Sequence, residues 1–230
     1  MMRRKMKTLS HVARAHLTVW VALMVLTAGA NPAGAFSLMT TKKGQNVAWP
    51  AGCITYWVQE DGAQAFTWEQ VNAVVDDAFG LWESVSRGAL SFRNGGATCF
   101  SEVGHQRWPG YQNVIVWRET PEDWAHGMTV VALTSVSFSE TTAQILDADI
   151  EVNAAHLDFS IGGSKTTYDL GYTLTHEVGH LLGIDHSQVS TALMAPNTDP
   201  HEVLQVTLKP DDVAALQAAY SDVTAAPCAA

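Results

Sequence analysis

Basic residues are scarce in this 230-residue chain, with 13 Lys+Arg against 23 Asp+Glu. Five of the 13 lie within residues 1–35, where there is no Asp or Glu, so the remainder carries 8 against 23, a net of −15. Such acidity argues against nucleic acid or anionic lipid as a partner and keeps an exported protein soluble. After the first thirty or so residues no apolar run is long enough to span a bilayer. There is no internal repeat, no Pro-rich linker and no abrupt change of composition, so the chain past Phe36 reads as one folded unit. Cysteine is limited to Cys53, Cys99 and Cys228.

What is present begins with a three-part leader. Arg3, Arg4, Lys5, Lys7 and Arg14 form a basic segment, Leu17 to Ala28 is apolar, and Ala33-Gly34-Ala35 offers a small-x-small cleavage site before Phe36. Residues 1–35 are therefore expected to be a signal peptide for export. No cysteine follows the cleavage site to carry a lipid. Residues 36–50 are a short N-terminal segment, 51–222 the main domain and 223–230 a flexible tail. An exported chain can keep disulfides. Cys53 and Cys99 fall near the starts and ends of neighbouring predicted strands, so the expected bridge joins them and leaves Cys228 unpaired.

Residues 53–59 are strand-like. Thr67 is a predicted N-cap with Gln70 completing a capping box, and Val71, Val74, Val75, Ala78, Phe79, Trp82 and Val85 recur at helical spacing. Strand-like runs follow at Leu90–Arg93, Asn113–Arg118, Thr129–Phe138 and Ile145–Asn153. A strand–helix–strand start implies a parallel pairing. A helix is expected from about Leu170 to Leu182 with Asp169 as N-cap. Another begins at Pro210, with Asp211 and Asp212 against its dipole and Val213, Leu216 and Tyr220 facing inward. The fold class is α/β: a mostly parallel sheet covered by two long helices, then a smaller C-terminal piece.

The second of those helices carries His176-Glu177-Val178-Gly179-His180, followed by Gly183 and His186. His176 and His180, four apart, project from one helical face and can grip one metal ion. Gly183 can end the helix in a left-handed conformation and return the chain so that His186 becomes a third ligand. Three protein ligands leave the fourth position of tetrahedral Zn²⁺ open, the mark of a catalytic rather than a closed structural site. Glu177 stands close enough to reach a water on that metal, as a general base must.

With Ser187 directly after the third histidine, and Ala192-Leu193-Met194-Ala195-Pro196 further on, the chain resembles the matrixin (matrix metalloprotease-like) branch of the metzincin zinc endopeptidases. The likeness extends more loosely upstream to Phe79-x-x-Trp82 and an edge strand. It implies a twisted, mostly parallel five-stranded sheet with one antiparallel edge strand, a long N-terminal helix, an active-site helix and a small C-terminal subdomain with its own helix. It implies that His176, His180 and His186 bind one catalytic Zn²⁺, that Glu177 is the acid/base, and that Met194 lies beneath the metal. Protein or peptide substrates would pair with the edge stretch containing Val131, Ala132 and Leu133, and residues 195–208 would line the pocket after the scissile bond. A monomer without nucleic-acid or membrane partners is expected. Two alternatives stand beside this reading. One is a secreted zinc-containing binding module of the same fold without turnover. The other is a zinc peptidase branch whose third ligand is a distant Glu.

Two departures from the family pattern matter. Asp stands in Leu146-Asp147-Ala148-Asp149-Ile150-Glu151 where vertebrate matrixins place a histidine for a structural zinc, and His105, His126 and His156 read as isolated surface residues, so no second zinc is expected. Asp147, Asp149 and Glu151 alternate on one strand face; they are either oxygen ligands for Ca²⁺ or a solvated face. Pro196 is no departure: some metzincins carry a tyrosine two positions after the methionine to stabilise the oxyanion, and proline there fits the matrixin type. The short segment before residue 51 holds no pro-domain or cysteine switch, so export in active form, or control from outside the chain, is expected.

Overall fold

The computed structural model describes residues 12–16, 35–60, 62, 65–105, 112–164, 166–196, 205–224 and 226–228, the first of these for its backbone alone. Most of the expected signal peptide lies outside the described residues. Strand β1 (Val12–His16) is followed by β2 (Ser37–Leu38), β3 (Cys53–Gln59), helix α1 (Trp68–Val85), β4 (Ser91–Thr98), β5 (Asn113–Arg118), β6 (Ala132–Ser139) and β7 (Ile145–Asn153). Short strands β8 (Phe159–Ser160) and β9 (Tyr168–Asp169) lead into α2 (Leu170–Leu181); β10 (Ile184–Asp185) and α3 (Pro210–Ala219) complete the chain.

The main sheet has the order β1-β6-β7-β5-β3-β4, with β6-β7-β5-β3-β4 as its five-stranded body. Within that body the pairs are parallel except β6 with β7, which run antiparallel and place β6 at the edge of the five. Strand β1 pairs outside β6, but only along Ser135–Ser139. The sheet is therefore the mixed, mostly parallel metzincin-like one anticipated.

Local chemistry accounts for the elements. In β3, Ile54, Tyr56 and Val58 alternate into the core. The Thr67 hydroxyl accepts from Gln70 N at 3.3 Å while Gln70 Oε1 accepts from Thr67 N at 2.9 Å, the reciprocal bonds of a capping box. Val71, Val75, Ala78, Phe79 and Trp82 then form one buried stripe along α1. Two strands depart from expectation. β4 runs on through Gly95 and Gly96 to Thr98, because a Cβ at Gly95 would lie 2.3 Å from the Trp57 indole; the glycine makes room for that ring rather than breaking the strand. β6 starts only at Ala132, because Val130 N turns back to Gly127 O and the Asn153 amide ties down Met128 O and Val130 O.

The expected Cys53–Cys99 bridge is overturned. Parallel pairing sets Cys53 opposite Ser91 and Gln59 opposite Thr98, so Cys53 and Cys99 lie at opposite ends of the β3–β4 pair. Seven residues of strand separate the ends by about 20 Å, far beyond disulfide reach. Cys53 instead bonds Cys228, its Cα 4.9 Å away, and Cys99 is free and exposed. The C-terminal tail is thereby pinned to the start of β3, with Cys228 N donating to Ser91 Oγ at 3.3 Å, rather than frayed.

The acidic strand is not a solvated face. Asp147, Asp149 and Glu151 are 1%, 1% and 6% exposed. Asp149 accepts from Gly104 N and from Val114 N (3.0 Å). Glu151 pairs with Arg118 Nε at 2.7 Å and lies 3.4 Å from His126 Nε2. His126, expected to be a lone surface residue, is half-buried against Glu151 and Trp124. Among the described residues no helix is long and apolar enough to cross a membrane.

The bridge closes a loop with a sequence separation of 175, so it removes much unfolded-state entropy. Cys228→Ser is expected to cost about 2–5 kcal/mol in denaturant unfolding, and Cys99→Ser close to nothing. Equal midpoints for Cys228→Ser and the parent chain would show that the bridge does not form.

Candidate metal centre

Helix α2 is capped by Asp169, whose carboxylate accepts from Tyr172 N at 2.8 Å. It is buried on nearly every side, since nine of its twelve residues are buried. Trp82 of α1 fastens it by donating Nε1–H to Thr175 O at 2.8 Å, immediately before His176. Gly179 has no side chain because a Cβ there would meet Met194 Sδ at 2.3 Å. Gly183 has φ +83° and would place a Cβ 2.2 Å from Val47 O, so only glycine both takes this conformation and tolerates the contact. β10 then pairs antiparallel with β2, returning the chain so that His186 faces the helix.

The three histidines meet as expected. One ring nitrogen from each of His176, His180 and His186 lies within 4.8 Å of the others. His180 Nε2 and His186 Nε2 are 3.3 Å apart, and two ligands at the Zn–N bond length of about 2.0–2.1 Å subtend about 3.3 Å in a tetrahedral site. His176 Nδ1 is 2.7 Å from Leu193 O and His180 Nδ1 2.8 Å from Ile184 O. A carbonyl can only accept, so each Nδ1 carries the hydrogen and each Nε2 presents a lone pair, the tautomer a metal ligand requires. Burial lowers the proton affinity of all three rings, taking His176 down to about 4, with its Leu193 bond opposing and His186 adding to the fall. Neutral imidazoles with aligned lone pairs fit Zn²⁺.

Glu177 is 7% exposed. Burial raises its carboxyl to about 7, opposed by hydrogen bonds to Thr134. The Thr134 hydroxyl donates to Glu177 Oε2 at 2.6 Å and lies 3.1 Å from the Glu177 main-chain carbonyl. Met194 is fully buried and packs against Gly179, next to His180 on the helix. Its turn is held by Asp212, which accepts from Leu193 N, Met194 N and Lys209 N at 2.9, 3.0 and 2.7 Å. Ser187 Oγ donates to Asp211 Oδ2 at 2.5 Å, and Asp211 Oδ1 accepts from Ala35 N at 3.0 Å. A cleft of about 620 Å³ opens beside the third histidine, lined by His186, Ser187, Gln188, Ser190, Ala195 and Pro196. Of the expected pocket segment, residues 197–204 lie outside the described residues.

Sequence reasoning missed the supporting groups. Asp212 read as a dipole acid, yet it is a buried anchor for the methionine turn; two successive acids at a helix start carried no sign of which would turn inward. Thr134 read only as part of the edge strand. Asp147, Asp149 and Glu151 are not brought to the triad, which is the one group of three His, Cys, Asp or Glu ligand atoms close enough to share an ion among the described residues.

A mostly parallel sheet with an antiparallel edge, and a helix offering two histidines and a glutamate to a third histidine after a glycine turn, define a metallopeptidase of the metzincin kind. Residues 48–221 match the family model described as Matrixin, and the chain belongs to that family of zinc metalloproteases. It is 44% identical over 80 residues to human (Homo sapiens) matrix metalloproteinase-19, covering 32% of this chain and 15% of that protein. With human neutrophil collagenase the identity is 27% over 177 residues, 76% of this chain and 34% of the relative. With metalloendoproteinase 4-MMP of Arabidopsis thaliana it is 39% over 64 residues, 28% and 18%. The aligned segments thus span 15–34% of these relatives' own lengths.

Because burial lowers the proton affinity of all three rings, most strongly at His176 and His180, Zn²⁺ has fewer protons to displace from them than from ordinary imidazoles. Zinc-free Glu177→Gln protein is expected to release well under one proton per Zn²⁺ taken up at pH 6, where three ordinary imidazoles would release roughly two. The parent chain adds up to one more, from the Glu177 carboxyl. Calorimetry in two buffers of different ionisation enthalpy counts these protons, and two or more from the variant would contradict the burial argument.

Proposed function

We propose that the chain is an exported zinc endopeptidase. The observation that carries this reading is the placement of Glu177 beside three converging imidazoles, two of them held in the ligating tautomer by main-chain carbonyls, and beneath the sheet's edge strand. His176, His180 and His186 would hold Zn²⁺, and Met194 would floor the site. When bound, zinc supplies Lewis-acid chemistry, making a water acidic and a carbonyl electrophilic. Glu177 takes a proton from the attacking water and passes it to the leaving nitrogen as the peptide bond breaks. Its burial suits both tasks, because a carboxyl shifted toward neutrality both accepts and returns a proton readily. Pro196 leaves no tyrosine at the position some metzincins use, so no tyrosine is assigned to the oxyanion.

An extended peptide would pair with the edge stretch around Val131, Ala132 and Leu133. Support comes from Ala132–Thr134 having no strand partner on the outer side among the described residues. The cleft beside His186 would receive substrate side chains. Export is supported by the family and by the disulfide, which persists in oxidising compartments. A calcium role for Asp147, Asp149 and Glu151 is the weaker reading, because Asp149 and Glu151 already engage amides, Arg118 and His126.

Replacing Glu177 with Gln is expected to lower kcat/KM on a general protein substrate by about 10²–10⁴-fold, with one Zn²⁺ per chain retained. Unchanged cleavage would remove Glu177 as the base. Absence of any cleavage by the zinc-loaded parent chain across a peptide library would favour the non-enzymatic module.

A further inference from the structure

Thr134 is a buried hydroxyl on the edge strand, 2% exposed, and both of its contacts are to one residue, the proposed base. A buried hydroxyl without partners is costly, and a buried carboxylate more so. Here each satisfies the other across the space between sheet and helix.

We propose that Thr134 is a positioning residue for catalysis: its hydroxyl fixes the Glu177 carboxylate through both halves of the proton cycle. This rests on Glu177 being the general base. A hydroxyl has one hydrogen and two lone pairs. While Glu177 is a carboxylate, the Thr134 O–H donates to Oε2 and leaves Oε1 to meet the water. Once Oε1 carries the proton taken from water, Oε2 is still an acceptor, so the Thr134 O–H keeps donating to it and the proton on Oε1 stays free to pass to the leaving nitrogen. No proton is gained or lost by Thr134, and the carboxyl keeps one orientation from acceptance to delivery. Because Thr134 sits on the strand proposed to pair with substrate, peptide docking and base alignment share one rigid element.

Thr134→Val removes the hydroxyl and keeps the branched shape; Thr134→Ser keeps the hydroxyl. The valine variant is expected to lose about 10–100-fold in kcat, with KM within about twofold, zinc at one per chain and the serine variant restored to within about threefold of the parent. A second readout needs no metal and no turnover. In zinc-free protein, the ¹³C carboxyl resonance of Glu177, assigned by its loss in Glu177→Gln, should move in Thr134→Val and stay in Thr134→Ser. Parent-like kcat in the valine variant, or a serine variant as slow as valine, overturns the role while Glu177-dependent cleavage by the parent keeps the peptidase reading intact. A parent chain without turnover overturns both. A valine variant that fails to fold leaves the serine variant and its resonance to decide: a moved resonance with lost kcat counts against the hydroxyl.

Discussion

Everything around the metal centre follows from one constraint: three imidazoles and a carboxylate are taken out of water together. A buried polar group must find a partner or it destabilises the fold. The main chain supplies the partners, Leu193 O for His176 and Ile184 O for His180. Those carbonyls come from the methionine turn and from the strand just past Gly183, so the shape of the chain after the helix is set by the need to satisfy the rings. The rings in turn are held in the tautomer that presents Nε2 to the metal. Structure and ligation are thus one arrangement.

The C-terminal helix belongs to this arrangement although none of its residues reaches the triad. Asp212, 1% exposed, gathers three main-chain amides from both ends of the segment between the methionine turn and α3. A carboxylate accepting several backbone N–H bonds is a strong local clamp. It fixes Leu193, whose carbonyl orients His176, and Met194, whose sulfur fills the space above Gly179. Asp211 does the same for Ser187, the residue after the third histidine. The start of α3 is therefore a brace for the far side of the site.

Elements governed by local chemistry were legible in the sequence: the capping box at Thr67, the stripe of α1, the Asp169 cap and the Pro210 start all stand where their residues place them. The triad was legible too, because histidines four apart on a helix and a glycine turn need no long-range information. What stayed hidden depends on pairing across the sheet. The parallel register of β3 and β4 separates Cys53 from Cys99 and brings Cys228 in from the tail, and no local pattern encodes that. The alternation of Asp147, Asp149 and Glu151 was legible as one face but left open between Ca²⁺ and water, since partners 25 to 45 residues away cannot be seen in a strand's own sequence. Thr134 was hidden for the same reason.

The acidic strand bears on the site through its neighbour. β7 pairs with β6 along its whole length, Ile150 opposite Thr134. Burying carboxylates on β7 would loosen the sheet there if they were unpartnered. Gly104 and Val114 amides on Asp149, and Arg118 with His126 on Glu151, offset that cost and lock β7 against β5 and the loop before β6. A buried ion pair is weak evidence of added stability but a strong determinant of geometry, since breaking it strands a charge. With β7 fixed, β6 can shift little, and the 2.6 Å contact from Thr134 to Glu177 spans the gap between edge strand and metal helix. Charge buried on the outer side of the sheet thus sets the spacing on which the catalytic carboxylate depends.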